Sequence, residues 1–325
     1  MTIDEFVAKA RAFQASRPLL TALELDVFTA VGDGATAEEV AARVGADARA
    51  TAMLLNALVA LEALAKEGEM FRNLPELAPY LVAGAEQYQR PELLHSANLW
   101  HSWTTLTDAV RAGGAVKELK VGSTAHDAKW TGHFIAAMER HARGNAQHVV
   151  EAVGVRGVRR MLDIGGGSGG FSIAFARAAP ELRAEILDTE AVVPLTERYI
   201  AEAGLSDRVT AYAGDLKRDD LGSGYDLVLL SSICHMLSVA ENRDLLRRCR
   251  QATAPGGRLV ISDLIIDEDR TSPPRAALFA LNMLVGTKGG STYTESEYTE
   301  WMREAGYDEV KRLSDAPELM VGRVT

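Results

Sequence analysis

The chain has 325 residues, of which 47% are hydrophobic and 25% are charged, which is typical of a folded protein and excludes a largely disordered one. Its formal net charge of −10 argues against nucleic acid or an anionic membrane surface as the main partner. No apolar run reaches the roughly 18 residues that would span a bilayer, and the two cysteines form no CxxC motif. We therefore expect a cytoplasmic protein without a disulfide framework.

The N-terminal region consists of short amphipathic helices. Segment 35–45 carries a capping box formed by Thr36 and Glu39 and ends at Gly45, which is typical of one helix. The apolar pattern predicts a second helix over 50–64, and residues 67–73 change to the pattern of a short hairpin. Helix, helix and hairpin in this order resemble a winged helix.

Charge decides between the two common uses of a winged helix. Residues 1–100 hold eight basic and fourteen acidic side chains, and the helix predicted over 50–64 has no basic residue. This composition disfavours DNA binding. We interpret residues 1–92 as a packing or dimerisation module and residues 93–150, whose helical pattern breaks at Gly113, as connecting helices.

After Val155 the pattern alternates between strands and helices, which predicts an α/β domain over 151–325 with a doubly wound, Rossmann-like parallel sheet. The predicted strands are 160–164, 184–188, 208–213, 225–230 and 258–265, and the pair 307–313 and 318–324 forms a terminal hairpin. The predicted helices between them are 170–179, 193–203, 239–253 and 294–305.

A glycine-rich loop, 165–170, follows the first of these strands and opens a helix. Glycines permit a tight turn there, and the free amides of the helix N-terminus favour an anion or polar ligand. The spacing Gly165-x-Gly167-x-x-Gly170 fits a dinucleotide fingerprint, whereas Asp163-x-Gly165-x-Gly167-x-Gly169 fits a methyl-donor site. The loop alone leaves both cofactors open.

Three aspartates, taken together, favour S-adenosylmethionine over NAD. Asp188 ends the second strand, where a carboxylate accepts both ribose hydroxyls of either cofactor. Asp215 follows Gly214 at the end of the third strand, where it would accept the adenine amino group while Leu216 covers the ring. Asp163 stands before the first glycine, where dinucleotide folds usually have an apolar residue.

The chain resembles the caffeate/hydroxyneurosporene-type O-methyltransferases (the plant COMT-like family 2) over nearly its whole length. The motifs that carry the resemblance are LDIGGGSGG, GDL, SSICHMLS, APGGRLVISD and KGGSTYTESEYTEWMREAGY, in this order. The resemblance implies a seven-stranded methyltransferase sheet with an antiparallel last strand, an N-terminal winged-helix dimerisation domain and a homodimer. It also implies methyl transfer without a metal ion to a small-molecule acceptor.

The same resemblance assigns His235 as the general base and Asp263 as the carboxylate beside it, one methylene shorter than the glutamate of many members. A histidine suits this role because it titrates near neutrality, at about 6.5. Ser231 stands where plant members place a lysine near the cofactor carboxylate, and Thr292 stands where the family has a second carboxylate. Met236 replaces a further family aspartate, which leaves the methylated atom open.

The acceptor pocket is expected between the central helices and helix 275–286. The resemblance implies a lining that includes Phe134, Met138 and Met283, which match family positions, and connecting helices 93–150 add Trp100 and His101 as further candidates. These side chains suit a flat apolar acceptor, so we expect O-methylation of a small aromatic or polyketide-like hydroxyl. The alternatives are a C-methyltransferase acting on an activated ring, an NAD-dependent oxidoreductase, and a non-catalytic regulator that binds the cofactor.

Overall fold

The computed structural model describes the backbone of residues 1–116 and 125–325, and the side chains of these residues except 125–129. Residue contacts divide the chain into two compact units, Met1–Trp100 and His101–Thr325. The three-part division into residues 1–92, 93–150 and 151–325 stays a prediction beside these two units.

The first unit contains short helices around one hairpin. Its elements are α1 (Ile3–Arg11), α2 (Phe13–Glu24), α3 (Val27–Val31), α4 (Ala37–Val44), α5 (Ala48–Ala60), β1 (Leu64–Glu67), β2 (Met70–Asn73) and α6 (Ala78–Leu81), followed by α7 (Arg90–Trp103). The capping box of Thr36 and Glu39 opens α4, and Gly45 ends it in the left-handed conformation, as predicted. The predicted hairpin is present as the antiparallel pair β1–β2.

Helix α5 is shorter than the predicted helix 50–64. It ends at Ala60, after which Glu62 adopts a left-handed conformation with φ +56°. The chain must leave the helix there because Leu64 already pairs with Asn73 in the hairpin. Apolar periodicity continued through Leu64 because a buried strand residue satisfies the same pattern as a buried helix residue.

The second unit is an α/β fold. Its elements are α8 (Leu106–Ala112), α9 (Ala125–Val153), β3 (Arg160–Ile164), α10 (Gly170–Ala178), β4 (Arg183–Asp188), α11 (Val193–Glu202), β5 (Val209–Ala213), β6 (Tyr225–Ser231), a 3-10 turn (Cys234–Met236), α12 (Val239–Ala252), β7 (Thr253–Ser262), β8 (Ile265–Ile266), α13 (Pro274–Gly286), β9 (Tyr293–Thr294), α14 (Glu295–Ala305), β10 (Glu309–Arg312) and β11 (Leu319–Arg323).

Within the described part of the chain, seven strands form the main sheet in the order β10-β11-β7-β6-β3-β4-β5. Strands β3 to β7 are parallel, and β11 is antiparallel to both of its neighbours. This confirms the predicted methyltransferase sheet with an antiparallel last strand. The parallel arrangement brings the carboxyl ends of β3 to β7 to one edge, where ligands of such folds bind.

The predicted strand 258–265 is divided in the structure. Strand β7 ends at Ser262, and the main-chain N–H of Asp263 donates to the carbonyl of Glu318. Ile265 and Ile266 then form β8, which pairs in parallel with Tyr293 and Thr294. The division places Asp263 directly after the end of β7, at the carboxyl edge of the sheet.

In the described residues no helix combines the length and apolar character needed to cross a bilayer.

Candidate active site

The glycine loop packs closely against the segment that follows β6. Gly165, Gly167 and Gly169 have φ values of +69°, +58° and +78°, in the left-handed region that favours glycine. A Cβ atom at Gly165 would lie 2.3 Å from Cδ1 of Ile233, so any other residue type would displace that side chain. The loop therefore needs glycine for both its conformation and its close approach to residues 231–236.

Asp163 lies under the glycine loop and is fully buried. Its Oδ2 accepts a hydrogen bond from the Ser172 hydroxyl at 2.7 Å, whereas Oδ1 is buried without a partner among the described residues. Burial raises the pKa of Asp163 to about 7; the hydrogen bond from Ser172 opposes the rise, and the charge of Asp188 adds to it. The structure places this carboxyl group beneath the loop.

Asp188 ends β4 beside the loop and is partly buried. Its Oδ2 accepts from the N–H of Gly167 at 2.9 Å, and its Oδ1 accepts from the N–H of Thr189 at 2.7 Å. Burial raises the pKa of Asp188, and these two hydrogen bonds lower it in part. Each carboxylate oxygen keeps a second lone pair for a hydroxyl group of a ligand.

The Gly214-Asp215-Leu216 turn follows β5 at the same edge. A Cβ atom at Gly214 would lie 2.5 Å from Cδ1 of Leu187, so any other residue type would displace that side chain. The carboxylate of Asp215 accepts from the N–H of Lys217 at 2.9 Å and lies 3.3 Å from Nε of Arg218. Leu216 packs against the hydrophobic core, and Ser231 ends β6 as a partly buried residue.

These groups fit S-adenosylmethionine. The left-handed glycines leave a cradle that side chains would fill, and Asp188 offers a carboxylate for vicinal hydroxyls. Asp215 and Leu216 add one polar and one apolar group at the neighbouring strand end. A nucleoside with a ribose, a purine and a flexible amino-acid tail matches this combination of acceptor, apolar and glycine surfaces.

His235 and Asp263 form a buried pair at the same edge of the sheet. Nδ1 of His235 lies 2.6 Å from Oδ1 of Asp263, with 9% and 1% of the two side chains exposed. In a neutral imidazole, a proton on Nδ1 that is donated to this carboxylate leaves the lone pair on Nε2. The ring of Phe279 in α13 contacts the imidazole edge to face, at 4.8 Å between centroids.

The charge of Asp263 is stabilised by several donors. Burial raises the pKa of Asp263, but the positive charge of His235 and the hydrogen bonds to the carboxylate outweigh burial and bring the pKa below its usual value. The donors besides the imidazole are the N–H groups of His235 and Leu264, at 3.1 and 2.8 Å. The hydroxyl of Tyr298 also donates to Oδ2, at 3.4 Å.

The segment between α13 and β9 packs on the backbone of the histidine. The N–H of Ser291 donates to the carbonyl of His235 at 2.9 Å, and a Cβ atom at Gly290 would lie only 2.3 Å from that carbonyl oxygen. Thr292, which stands in place of the family's second carboxylate, is buried, and its hydroxyl has no partner among the described residues.

Two helices carry the predicted acceptor-pocket residues of the second unit. In α9, Met138 lies next to the glycine loop, since a Cβ atom built at Gly167 would be 3.8 Å from Cβ of Met138. The ring of Phe134, also in α9, stacks on Trp130 with 5.4 Å between centroids. In α13, Met283 is buried one turn after Phe279. His101 is exposed in α7, and Trp100 lies in the first unit, where the Arg17 guanidinium is 5.7 Å from its ring centroid.

Three residues at the site were not predicted from the sequence, namely Tyr298, Phe279 and Ile233. Each is an apolar or aromatic residue in a pattern that predicts ordinary core. The available signal was the position of Ile233 between the end of β6 and His235, at the sheet edge that also carries the glycine loop. No comparable sequence signal marks Tyr298 or Phe279.

The family models match both parts of the chain. An O-methyltransferase domain matches residues 103–308, and an O-methyltransferase dimerisation domain matches residues 8–83. The 3-hydroxy-5-methyl-1-naphthoate 3-O-methyltransferase of Streptomyces sahachiroi is 35% identical over 307 residues, which cover 92% of this chain and 87% of the relative. The tetracenomycin polyketide synthesis 8-O-methyl transferase TcmO of Streptomyces glaucescens is 30% identical, over 96% and 94% of the two chains.

Solved structures agree with these matches. The structure of PigF with SAH has a TM-score of 0.90 at 26% identity and covers 99% of this chain and 100% of that chain. Both family models and the long alignments lead to one conclusion. The chain is a methyltransferase that belongs to the S-adenosylmethionine-dependent O-methyltransferase family with an N-terminal dimerisation domain.

Proposed function

We propose that this protein transfers a methyl group to a hydroxyl of a small aromatic or polyketide-like metabolite, with His235 as the general base. The buried His235–Asp263 pair, at the sheet edge that holds the glycine loop, is the observation that carries this proposal. A phenolic or enolic hydroxyl must lose its proton to become a good nucleophile, and a histidine is suited to accept it near neutral pH.

His235 and Asp263 have complementary roles in this reaction. When bound, S-adenosylmethionine supplies an electrophilic methyl group on a sulfonium centre. His235 accepts the hydroxyl proton at Nε2, because its Nδ1 proton is donated to Asp263 at 2.6 Å. Asp263 fixes the tautomer and the ring orientation and stabilises the imidazolium that forms, and Phe279 restricts rotation of the ring from α13.

Cofactor binding is proposed for the residues at the ends of β3 to β6. Gly165 and Gly167 form the floor of the cradle, with Asp163 supporting the loop from beneath. The remaining proposed contacts are Asp188 to the ribose, Gly214, Asp215 and Leu216 to the adenine, and Ser231 to the amino-acid end.

The acceptor is proposed to lie against apolar side chains of α9 and α13. Phe134, Met138 and Met283 provide polarizable and aromatic surface that suits a planar ring system. Trp100 and His101 stay proposed members of this lining. The two bacterial relatives named above are described as acting in naphthoate and polyketide chemistry, which supports this acceptor class.

Paired variants test the proposed roles. We expect His235→Ala to lower turnover by about 10²- to 10⁴-fold while the affinity for S-adenosylhomocysteine is retained, because the imidazole moves a proton and holds no cofactor. Asp188→Ala is expected to lower the cofactor affinity first, because it removes the ribose carboxylate. Calorimetric titration gives the affinities. The turnover is obtained from a screen of hydroxyarenes, whose products are followed by mass spectrometry and NMR.

Two outcomes would contradict the proposal. Near-wild-type turnover of His235→Ala on an accepted substrate would exclude this histidine as the base. A product methylated on carbon instead of oxygen would replace O-methylation by ring C-methylation as the reaction.

A further inference from the structure

The carboxylate of Asp263 accepts four hydrogen bonds. Three of them come from His235 or from Leu264, the residue that follows Asp263. Oδ1 accepts from Nδ1 of His235 and from the N–H of Leu264, and Oδ2 accepts from the N–H of His235. The fourth donor is the Tyr298 hydroxyl, 3.4 Å from Oδ2. Tyr298 thus connects α14, which is distant in sequence from β7, to the carboxylate.

Tyr298 is held in place by its neighbours. It is fully buried, and its ring packs at 6.1 Å from Tyr293 and at 5.6 Å from Trp301. A phenylalanine would fill this space equally well and would bury no polar group. A buried hydroxyl costs free energy unless it is hydrogen-bonded, and the carboxylate of Asp263 is the acceptor that it faces.

The segment that carries the Tyr298 hydroxyl also contacts the backbone of His235. Ser291, whose N–H holds the carbonyl of His235, lies seven residues before Tyr298 in the same continuous segment. The capping box of Thr294 and Glu297 starts α14 and fixes the turn that carries Tyr298. One stretch of chain, 291–298, therefore contacts both members of the pair.

We infer that Tyr298 is a positioning residue for methyl transfer, whose hydroxyl holds the Asp263 carboxylate in the orientation that aligns His235. This inference rests on the proposed function and deepens it, because it names a residue that acts through Asp263 and touches neither substrate nor cofactor.

The titratable groups that face Asp263 are His235 and Cys234 from the 3-10 turn and Tyr298 from α14, with Tyr293 beyond Tyr298. Burial raises the pKa of Cys234 and of Tyr298 well above their usual values, so both stay neutral where a histidine titrates. The donor on Oδ2 draws charge from the carboxylate. Without this donor, more negative charge faces the imidazolium, which becomes easier to form.

Tyr298→Phe is the test, with Tyr293→Phe as its matched control. Tyr293 belongs to the same aromatic cluster, but its hydroxyl donates to the carbonyl of Leu237 instead of to the carboxylate. Histidine-labelled protein is titrated by NMR, and the His235 Cε1–H signal is assigned by its loss in His235→Asn. We expect Tyr298→Phe to move the titration midpoint of this signal upward by about 0.5 pH unit, and Tyr293→Phe to leave it in place.

An unmoved midpoint in Tyr298→Phe would overturn the inference, even if turnover fell, because a purely structural role would lower turnover in both tyrosine variants. The proposed function is judged separately, from the turnover of His235→Ala, and it survives a negative result at Tyr298. If Tyr298→Phe does not fold, tyrosine labelled at ¹³Cζ in the wild-type protein decides. The chemical shift of one tyrosine signal must then change with the same midpoint as that of His235. If no tyrosine signal changes with this midpoint, the inference is overturned.

Discussion

Asp163, the last residue but one of β3, and Asp188, the last residue of the neighbouring β4, have different surroundings. Asp188 accepts two main-chain N–H groups, whereas Asp163 accepts one hydroxyl and keeps a buried oxygen without a partner among the described residues. Burial raises the pKa of both, and it raises that of Asp163 to about 7. Asp163 therefore carries a proton over much of the range in which the unfolded chain has lost it.

This difference predicts a pH-dependent stability. Because the native pKa of Asp163 is raised from 3.8 to about 7, its contribution is complete below pH 3.8 and is lost as the pH rises to about 7. Asp163→Asn cannot ionise, so its free energy of unfolding relative to wild type should increase by about 3 kcal/mol between pH 5 and pH 8. Urea unfolding at several pH values measures this difference.

Asp207→Asn, at an exposed aspartate in the loop before β5, is the control for that experiment, because it removes a carboxylate that is not buried. If Asp163→Asn differs from wild type by the same amount at every pH, Asp163 is ionised in the folded protein.

At the scale of single residues, the sequence places the polar residues at the strand ends but misses two aromatic residues that contact the His235–Asp263 pair. Asp188, His235 and Asp263 could be placed because carboxyl ends of parallel strands meet at one edge. Tyr298 and Phe279 could not be placed, since an aromatic residue within an amphipathic helix has the same pattern whether it packs in the core or against a catalytic side chain. Their contacts depend on the angle at which α13 and α14 meet the sheet, which local spacing does not encode.

At the scale of elements, the segment 287–292 packs against the backbone of His235 and hydrogen-bonds to it. Thr287 accepts from the N–H of Gly290 at 2.9 Å, and Ser291 donates to the carbonyl of His235. The space at Gly290 is so small that no side chain fits between this segment and the 3-10 turn. The structure shows that Gly290, the second glycine of the KGG motif, lies against the carbonyl oxygen of His235.

Gly290→Ala should therefore impair methyl transfer. Its Cβ would lie 2.3 Å from the carbonyl oxygen of His235, so the segment or the 3-10 turn must shift by an ångström or more. A displacement of this size near a reacting group costs about 10- to 100-fold in turnover, while the affinity for S-adenosylhomocysteine should stay within about twofold. Steady-state kinetics and calorimetry measure the two quantities.

Gly286→Ala provides the matched control, four residues earlier in α13. A Cβ atom there would meet nothing within 4 Å, so the variant should retain wild-type turnover. Equal losses in both variants would show that general flexibility of the segment, and not the contact at Gly290, limits the reaction.

Element boundaries were predictable where local chemistry specifies them. The helix opened by Thr36 and Glu39 begins as predicted because a capping box satisfies its free N–H groups. The prediction over 50–64 extended too far because no glycine or proline marks the end of α5. The left-handed Glu62 is imposed by the pairing of Leu64 in the hairpin, a tertiary requirement that the local sequence does not show.

At the scale of the whole molecule, the N-terminal helices expose apolar side chains. Ile3, Phe6 and Phe13 are 72%, 55% and 51% exposed, and α1 buries none of its residues within the described chain. The dimerisation-domain match begins at residue 8, within this region. We propose that a second copy of the chain covers this face and that the protein is a homodimer.

The double variant Phe6→Asp with Phe13→Asp should be monomeric at micromolar concentrations where the wild type is dimeric, because it places charges in an apolar interface. Light scattering coupled to size exclusion measures the mass. Val239→Asp changes an exposed apolar residue of α12 in the second unit and should stay dimeric. A monomeric wild-type protein would contradict the proposed assembly.

The contact between Gly165 and Ile233 has a consequence for how the enzyme can change. The loop proposed to hold the methyl donor and the segment that leads to His235 pack directly against each other, and an added Cβ atom at Gly165 would displace the side chain of Ile233. Substitutions in either segment should thus be strongly epistatic with substitutions in the other. New acceptor ranges, whether evolved or engineered, are expected to arise from α9 and α13, which can vary in side-chain shape without disturbing that contact.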